Sequence, residues 1–319
     1  MKKLKIAHMD NQLADCITVY CMAALKGLGK VNFQEVTGSF WRFNYKKDPL
    51  IFFSLSLFSS PFERNRLLND YFNIQLTAIE EPKVDYHQMI ISSLSKSKLP
   101  MVFIDRFDLP HDNICFQKFH ENHYLLIRGY DSINQEYHIV DFFTTPSFTK
   151  INRNIIEESI KNAFHIEHPM IIASIETIEH TFNQDTLTEL IQSNYKHMTQ
   201  KNSNSSGLLG VESLYTDLEK RDDYLQDYIK VINLFSKLKH MGSYRAQHAD
   251  FINTYFGHPV LENAFHELDH KWKLVANYIL KAHLTKNDTL ISRSLNTLQE
   301  IIQIKKEILP LYEQLTKGE

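Results

Sequence analysis

The sequence predicts an α+β unit over residues 1–180, followed by an all-helical unit over residues 181–319. Three observations predict it. Strand-like and helix-like segments alternate through the first half, and only amphipathic helical patterns fill the second. The polar stretch Lys201-Asn202-Ser203-Asn204-Ser205-Ser206-Gly207 interrupts those patterns as a loop. A length of 319 residues suits two domains.

The first half is read element by element. Asp15 can cap a helix from Cys16 to about Lys26, and Gly27 and Gly29 stop it. Leu50–Leu57 is strand-like, Pro61–Tyr71 helical and Ile74–Ile79 an alternating strand. Val84–Lys96 has helical spacing, and Met101–Asp105 is a short buried strand. Tyr124–Tyr130 and Tyr137–Phe143 are β-rich runs joined by Asp131-Ser132-Ile133-Asn134-Gln135, the pattern of a hairpin. Asn154–Phe164 reads as a helix and Met170–Ile175 as a strand. The second half offers helical patterns at Leu187–Met198, Val211–Leu218, Tyr224–Leu238, Tyr244–Tyr255, Val260–Leu284 and Leu290–Leu315. Pro310 should kink or split the last of these.

Composition bounds the function. The chain is 43% hydrophobic and 23% charged with a net charge of -3, which matches a globular protein and not a basic nucleic-acid binder. Lys2, Lys3 and Lys5 begin the chain as a signal peptide would, but Asp10, Asn11, Gln12 and Asp15 interrupt any apolar region after them. No run approaches the roughly 18 apolar residues of a membrane span. The expectation is a cytoplasmic protein with no membrane and no nucleic acid as partner. The cysteines, Cys16, Cys21 and Cys115, are too few and odd in number for a disulfide framework.

Cys16 falls in the first turn of its helix, where free N–H groups favour a thiolate. The other reading of Cys16 is a small buried hydrophobe. Cys21 turns toward the side of Ile17 and Ala24 and reads as core. His123 opens a strand, a suitable place for a general base. Asp141 ends the partner strand; if the hairpin pairs His123 with position 141 or 143, Asp141 can orient the imidazole. The plain alternative is a turn histidine and a solvated aspartate. Gln12, ahead of Asn11 in preference, could complete an oxyanion hole with the Cys16 N–H.

A rival motif lies in the second half. His266-Glu267-Leu268-Asp269-His270 fits H-E-x-x-H, which on a helix presents two imidazoles to zinc. It lacks the further histidine of the metzincin form, and His283 and Glu300 are not at diagnostic spacings. The alternative is a polar face opposite Phe265, Leu268 and Trp272, and no metal is expected. With 9 glycines, no Rossmann or Walker loop is present.

The order of motifs carries a resemblance. Met101–Asp105 leads into Arg106-Phe107-Asp108-Leu109-Pro110; Lys118-Phe119-His120 follows; then His123-Tyr124-Leu125-Leu126-Ile127-Arg128-Gly129-Tyr130-Asp131 and Ile139-Val140-Asp141. This resembles the N-terminal domain of the butirosin-biosynthesis acyltransferase family, whose shorter Cys…His…Asp form is shared by bacteriocin-processing peptidases. Gly242-Ser243-Tyr244-Arg245, Ala249-Asp250-Phe251-Ile252 and Trp272-Lys273-Leu274-Val275 resemble the domain that often follows. The chain departs from the pattern at Asp15, where the family often has His, and in its sparse glycine after the first helix. The resemblance implies a papain-like cysteine-protease fold with Cys16, His123 and Asp141 as its catalytic residues. It implies an amide synthase that moves an acyl group from a carrier-protein thioester to an amine in specialised-metabolite biosynthesis. The partners would be an acyl or peptidyl carrier protein, which brings its own 4′-phosphopantetheine, and a small-molecule amine; the enzyme itself would need no cofactor. A papain-like peptidase or thioesterase, and a non-catalytic scaffold, are the alternatives.

Overall fold

Cys16–Gly27 forms the first helix, α1. Residues Ile17 to Leu25 are all buried, because a helix with no polar stripe has no face to give to solvent. Gly27 is needed at its end: a Cβ there would lie 2.5 Å from the Lys5 carbonyl oxygen. Segment 3–9 runs alongside, with Ala7 N–H donating to Ala23 and Leu4 N–H to Arg128. This computed structural model describes residues 3–9, 16–29, 37–38, 40–48, 52–56, 61–79, 85–163, 170–175, 183–200, 205–220 and 226–317.

After α1 come β1 (Asn44–Asp48), β2 (Phe52–Ser56), α2 (Pro61–Phe72), β3 (Ile74–Ile79), α3 (Tyr86–Ser95) and β4 (Leu99–Asp105). A 3₁₀ turn at Arg106–Asp108 precedes β5 (Asn122–Asp131), β6 (Glu136–Val140), β7 (Phe148–Asn152), α4 (Arg153–Asn162) and β8 (Met170–Ile175). The remainder is α5 (Gln184–Thr199), α6 (Gly207–Glu219), α7 (Tyr228–Phe256), α8 (Pro259–Thr285) and α9 (Asp288–Lys317). The architecture is α+β.

Two units divide these elements. The first holds Met1–Val31 and Arg64–His180; the second holds Asn32–Glu63 and Thr181–Glu319. The expected division at residue 180 put residues 32–63 with the first unit, and their contacts put them with the second. The sequence gives no composition shift at either end of that stretch, so only its packing reveals where it belongs.

The first unit is built on a six-stranded antiparallel sheet in the order β3-β8-β4-β5-β6-β7. Ile90 and Leu94 of α3 and Ile156 and Ile160 of α4 pack on Val102, Ile104, Leu125 and Ile127 of the sheet. Their spacing of four puts each helical pair on one face, and the strand residues alternate with period two. Asp85 caps α3 by accepting from Gln88 N–H at 3.0 Å, and Asn152 caps α4 by accepting from Asn154 N–H at 2.9 Å. The hairpin β5–β6 forms as its turn residues predict. Strand β7 is an addition: its sequence, Phe-Thr-Lys-Ile-Asn, carries too little apolar signal to read as a strand alone.

In the second unit, α7, α8 and α9 pack together. Two separate helical patterns, Tyr224–Leu238 and Tyr244–Tyr255, were expected across α7, with Gly242 in the gap between them. The helix is continuous because Gly242 serves a neighbour instead: its missing Cβ would lie 2.8 Å from the Asp269 carbonyl oxygen of α8. Likewise α9 runs through Pro310 as one helix and is not split there, with Ile308 and Tyr312 buried on either side.

An irregular segment crosses this helical core, and Phe40, Trp41 and Phe43 on it are wholly buried. Its peptide groups need partners where water is absent. Arg245 donates to the Phe40 and Arg42 carbonyls. The His248 Nδ1–H donates to Thr37 at 3.0 Å, Asn194 to Gly38 at 2.5 Å, and His197 Nε2 to Phe43 at 3.1 Å. Burial pushes His248 down to about 3, so it stays neutral, and its Nε2 is left to accept from Tyr312 Oη at 3.2 Å. The Gly242–Arg245 motif thus closes the second unit around residues from far upstream.

Candidate active site

Cys16, His123 and Asp141 come together in the first unit. Cys16 opens α1 and is partly exposed. The first N–H groups of a helix have no intrahelical acceptor, so a sulfur there meets a positive end. His123 lies on β5, opposite Ile104 of β4, with its side chain about 10% exposed. Cys16 is near enough to the imidazole to help raise its basicity.

Asp141 follows the last residue of β6. The β5–β6 register pairs Leu126 with Val140 and Ile127 with Ile139, so continuing it sets position 143 across from His123. Phe143 takes that place, its ring 4.9 Å from the imidazole in a T-shaped contact. Asp141 reaches His123 from the turn instead. Its N–H donates to Ser147 and its Oδ1 accepts from Phe143 N–H at 2.9 Å. Oδ1 lies 3.4 Å from His123 Nε2. The carboxylate is wholly buried.

Two further residues belong to the site and were not anticipated. Tyr20, one turn along α1 from Cys16, places its hydroxyl 3.2 Å from His123 Nε2 and donates to the Tyr124 carbonyl at 3.0 Å. Its one proton is committed to that carbonyl, so it can only accept from the imidazole. Nε2 therefore carries a hydrogen, shared toward Tyr20 and Asp141. The signal for Tyr20 was its i+4 spacing from Cys16, which puts both on one face. His111, just after Leu109-Pro110, lies with Nε2 3.6 Å from Asp141 Oδ2. Nothing local in the sequence marks it.

The charges follow from this packing. Burial alone would lower His123, but hydrogen bonds and charge from Asp141 and Cys16 outweigh it and raise the imidazole to about 10. Burial would raise Asp141, yet His111, His123 and the Phe143 N–H together hold it well below the usual carboxylate range. Burial, with the charges of Asp141 and Cys16, pushes Tyr20 far above an ordinary phenol, so it stays a neutral hydrogen-bonding group.

The other cysteines lie elsewhere. Cys21 is fully buried in α1. Cys115 donates to Glu121 at 3.3 Å, and burial pushes its thiol up to about 12, which suppresses the thiolate. Gln12 and Asp15, expected to complete an oxyanion hole and to cap α1, lie outside the described residues.

His266 and His270 are exposed on α8, opposite the buried Phe265, Leu268 and Trp272. Glu267 is ion-paired with Lys271 at 3.3 Å. Among the described residues, no three His, Cys, Asp or Glu side chains gather as a metal site. A second His–Asp pair, His120 Nδ1 to Asp105 Oδ2 at 2.6 Å, borders a cavity of about 370 Å³ lined also by Phe107, Asp108 and Asn162, with no nucleophile among them.

No protein-family model and no curated protein matches the chain. Among the described residues, no helix is long and apolar enough to cross a membrane.

Proposed function

We propose that the protein is a papain-like cysteine acyltransferase that carries the acyl group on Cys16. The single observation that supports this most is the linked set Cys16–His123–Asp141, with Tyr20 and Asp141 both against Nε2 of the imidazole. A cysteine opening a buried helix and a histidine on an antiparallel strand are the arrangement a papain-like unit requires.

The chemistry runs as a two-step exchange. The Cys16 thiolate attacks the carbonyl carbon of a carrier-protein thioester. The tetrahedral intermediate expels the carrier thiolate, which takes the proton of the His123 imidazolium. One thioester replaces another, so this step is nearly balanced in free energy. A small-molecule amine then attacks acyl-Cys16 and gives its proton to the neutral His123. Collapse releases the amide and restores the thiolate and imidazolium. The 4′-phosphopantetheine arm belongs to the carrier protein, and no step calls on a metal or cofactor of this chain.

The test is to mix the protein with an acylated carrier protein without amine and weigh the intact chain. An acyl mass that maps to Cys16, is absent from Cys16→Ala and clears as an amide on adding amine is the expected result. Labelling that survives in Cys16→Ala overturns the reading. Discharge to free acid in the presence of the amine assigns the same site to a thioesterase.

A further inference from the structure

We propose that His111 is a positioning residue of this site, holding the second oxygen of Asp141 so that the first stays on His123; this rests on the Cys16–His123 reading. The two carboxylate oxygens are held unequally. Oδ1 accepts from the Phe143 N–H at 2.9 Å and faces His123 at 3.4 Å. Among the described residues, buried Oδ2 accepts no hydrogen bond and neither ring nitrogen of His111 has a hydrogen-bond partner, although its side chain is only 8% exposed. Buried polar groups left unsatisfied cost about 1–3 kcal/mol each. Here an unsatisfied nitrogen and an unsatisfied oxygen face one another across 3.6 Å. That gap leaves no room for water, and closing it by about 0.6 Å makes a normal hydrogen bond.

The loop around His111 is built to place it. Asp112, next in sequence, pairs with Arg106 Nε at 2.5 Å and accepts from Ile114 N–H and Cys115 N–H at 2.9 Å. Leu109 is fully buried, and its N–H donates to the Arg106 carbonyl. Both flanks of His111 are therefore fixed to one buried guanidinium and its turn. A carboxylate anchored at one oxygen can rotate about its Cβ–Cγ bond; a donor on the other oxygen prevents that. The groups facing the pair are Cys16 and Tyr20 from α1, His111 from this loop and the Phe143 N–H from the turn, with Arg106 acting on Tyr20. Losing the hold on Asp141 weakens its support of the imidazolium, and through it the Cys16 thiolate.

Alkylation of Cys16 by iodoacetamide, followed from acid to neutral pH, reads this without a substrate. His111→Phe keeps a ring and removes the donor; His111→Gln keeps a donor. In His111→Phe the acid limb of the rate should move up by about half a pH unit, about threefold slower reaction below neutrality. His111→Gln should restore most of it. Circular dichroism confirms that each variant is folded, and a purely structural role would lower the melting temperature without moving the limb. A His111→Phe limb that coincides with wild type overturns the proposal while leaving the Cys16–His123 reading intact. A wild-type Cys16 whose alkylation is unaffected by His123→Ala overturns that reading, and this proposal with it.

Discussion

Tyr20 lies 3.2 Å from His123 Nε2, and under the proposed acyl transfer that contact has consequences at the scale of single residues. Removing its hydroxyl in Tyr20→Phe takes one acceptor from the Nε2 hydrogen and leaves the Tyr124 carbonyl without this donor. Acyl transfer to Cys16 should slow about tenfold, the effect of roughly one net hydrogen bond, measured by quench and intact mass. Asp141→Asn should slow it far more, because an amide supports neither the orientation nor the cation. Protonation also couples to stability. His123 is raised, so what it contributes is fully present below its unfolded value of about 6.5 and shrinks as pH rises toward about 10. Asp141 is depressed, so its contribution is present above its unfolded value and is lost as pH falls. The gap in melting temperature between wild type and His123→Gln should therefore narrow steadily from about pH 6.5 upward; a gap constant with pH would refute the coupling.

Helix contacts set the next scale. Gly242 lets α7 approach the backbone of α8, and its replacement by alanine forces a Cβ to within 2.8 Å of the Asp269 carbonyl oxygen. Gly242→Ala should lower stability by about 1–3 kcal/mol, the usual penalty for overpacking, even though alanine favours helix. Urea unfolding measures it, and a stabilised variant would mean the helices can part freely. The same glycine shows how far sequence reading reaches. Read alone it resembles a helix end; only the partner backbone explains it. Elements with strong periodicity, such as β5, β6 and α8, were legible. Strands β1 and β7 were not, because Asn-Tyr-Lys-Lys-Asp gains its order by pairing with β2 and Phe-Thr-Lys-Ile-Asn by pairing with β6, and not from their own alternation. Of the site, Cys16, His123 and Asp141 were legible as residue types at the ends of elements. Tyr20 and His111 were not, because their roles depend on distances across 103 residues of chain in one case and a loop conformation in the other.

For the whole molecule, the two units keep their charges differently. The buried acids Asp105, Asp112 and Asp141 all lie in the first unit, whereas the buried charged residues of the second, among those described, are Arg42, Arg245 and Lys305. Arg245 has backbone carbonyls to serve. Lys305 is fully buried with no hydrogen-bond partner for its amine among the described residues, and burial drives its basicity far down. It therefore weakens the fold it sits in. Lys305→Met, similar in shape and without the amine, should raise the stability by about 1–3 kcal/mol, whereas Arg245→Met should lower it by leaving two buried carbonyls unpaired. Thermal melts of both variants decide this; a destabilised Lys305→Met would assign the amine a role in the core.

The placement of residues 32–63 in the second unit has a further consequence for how the protein is made. Phe40, Trp41 and Phe43 leave the ribosome well before the helices that cover them, of which α9 runs to Lys317. At about 5–20 residues per second these aromatic side chains wait for tens of seconds without their partners. The first unit can meanwhile close as soon as β8 emerges to fill its place between β3 and β4. Nascent chains arrested once β8 has emerged should accordingly hold a protease-resistant first unit while the 32–63 stretch is cut and bound by chaperones, and its protection should appear only once α9 has emerged.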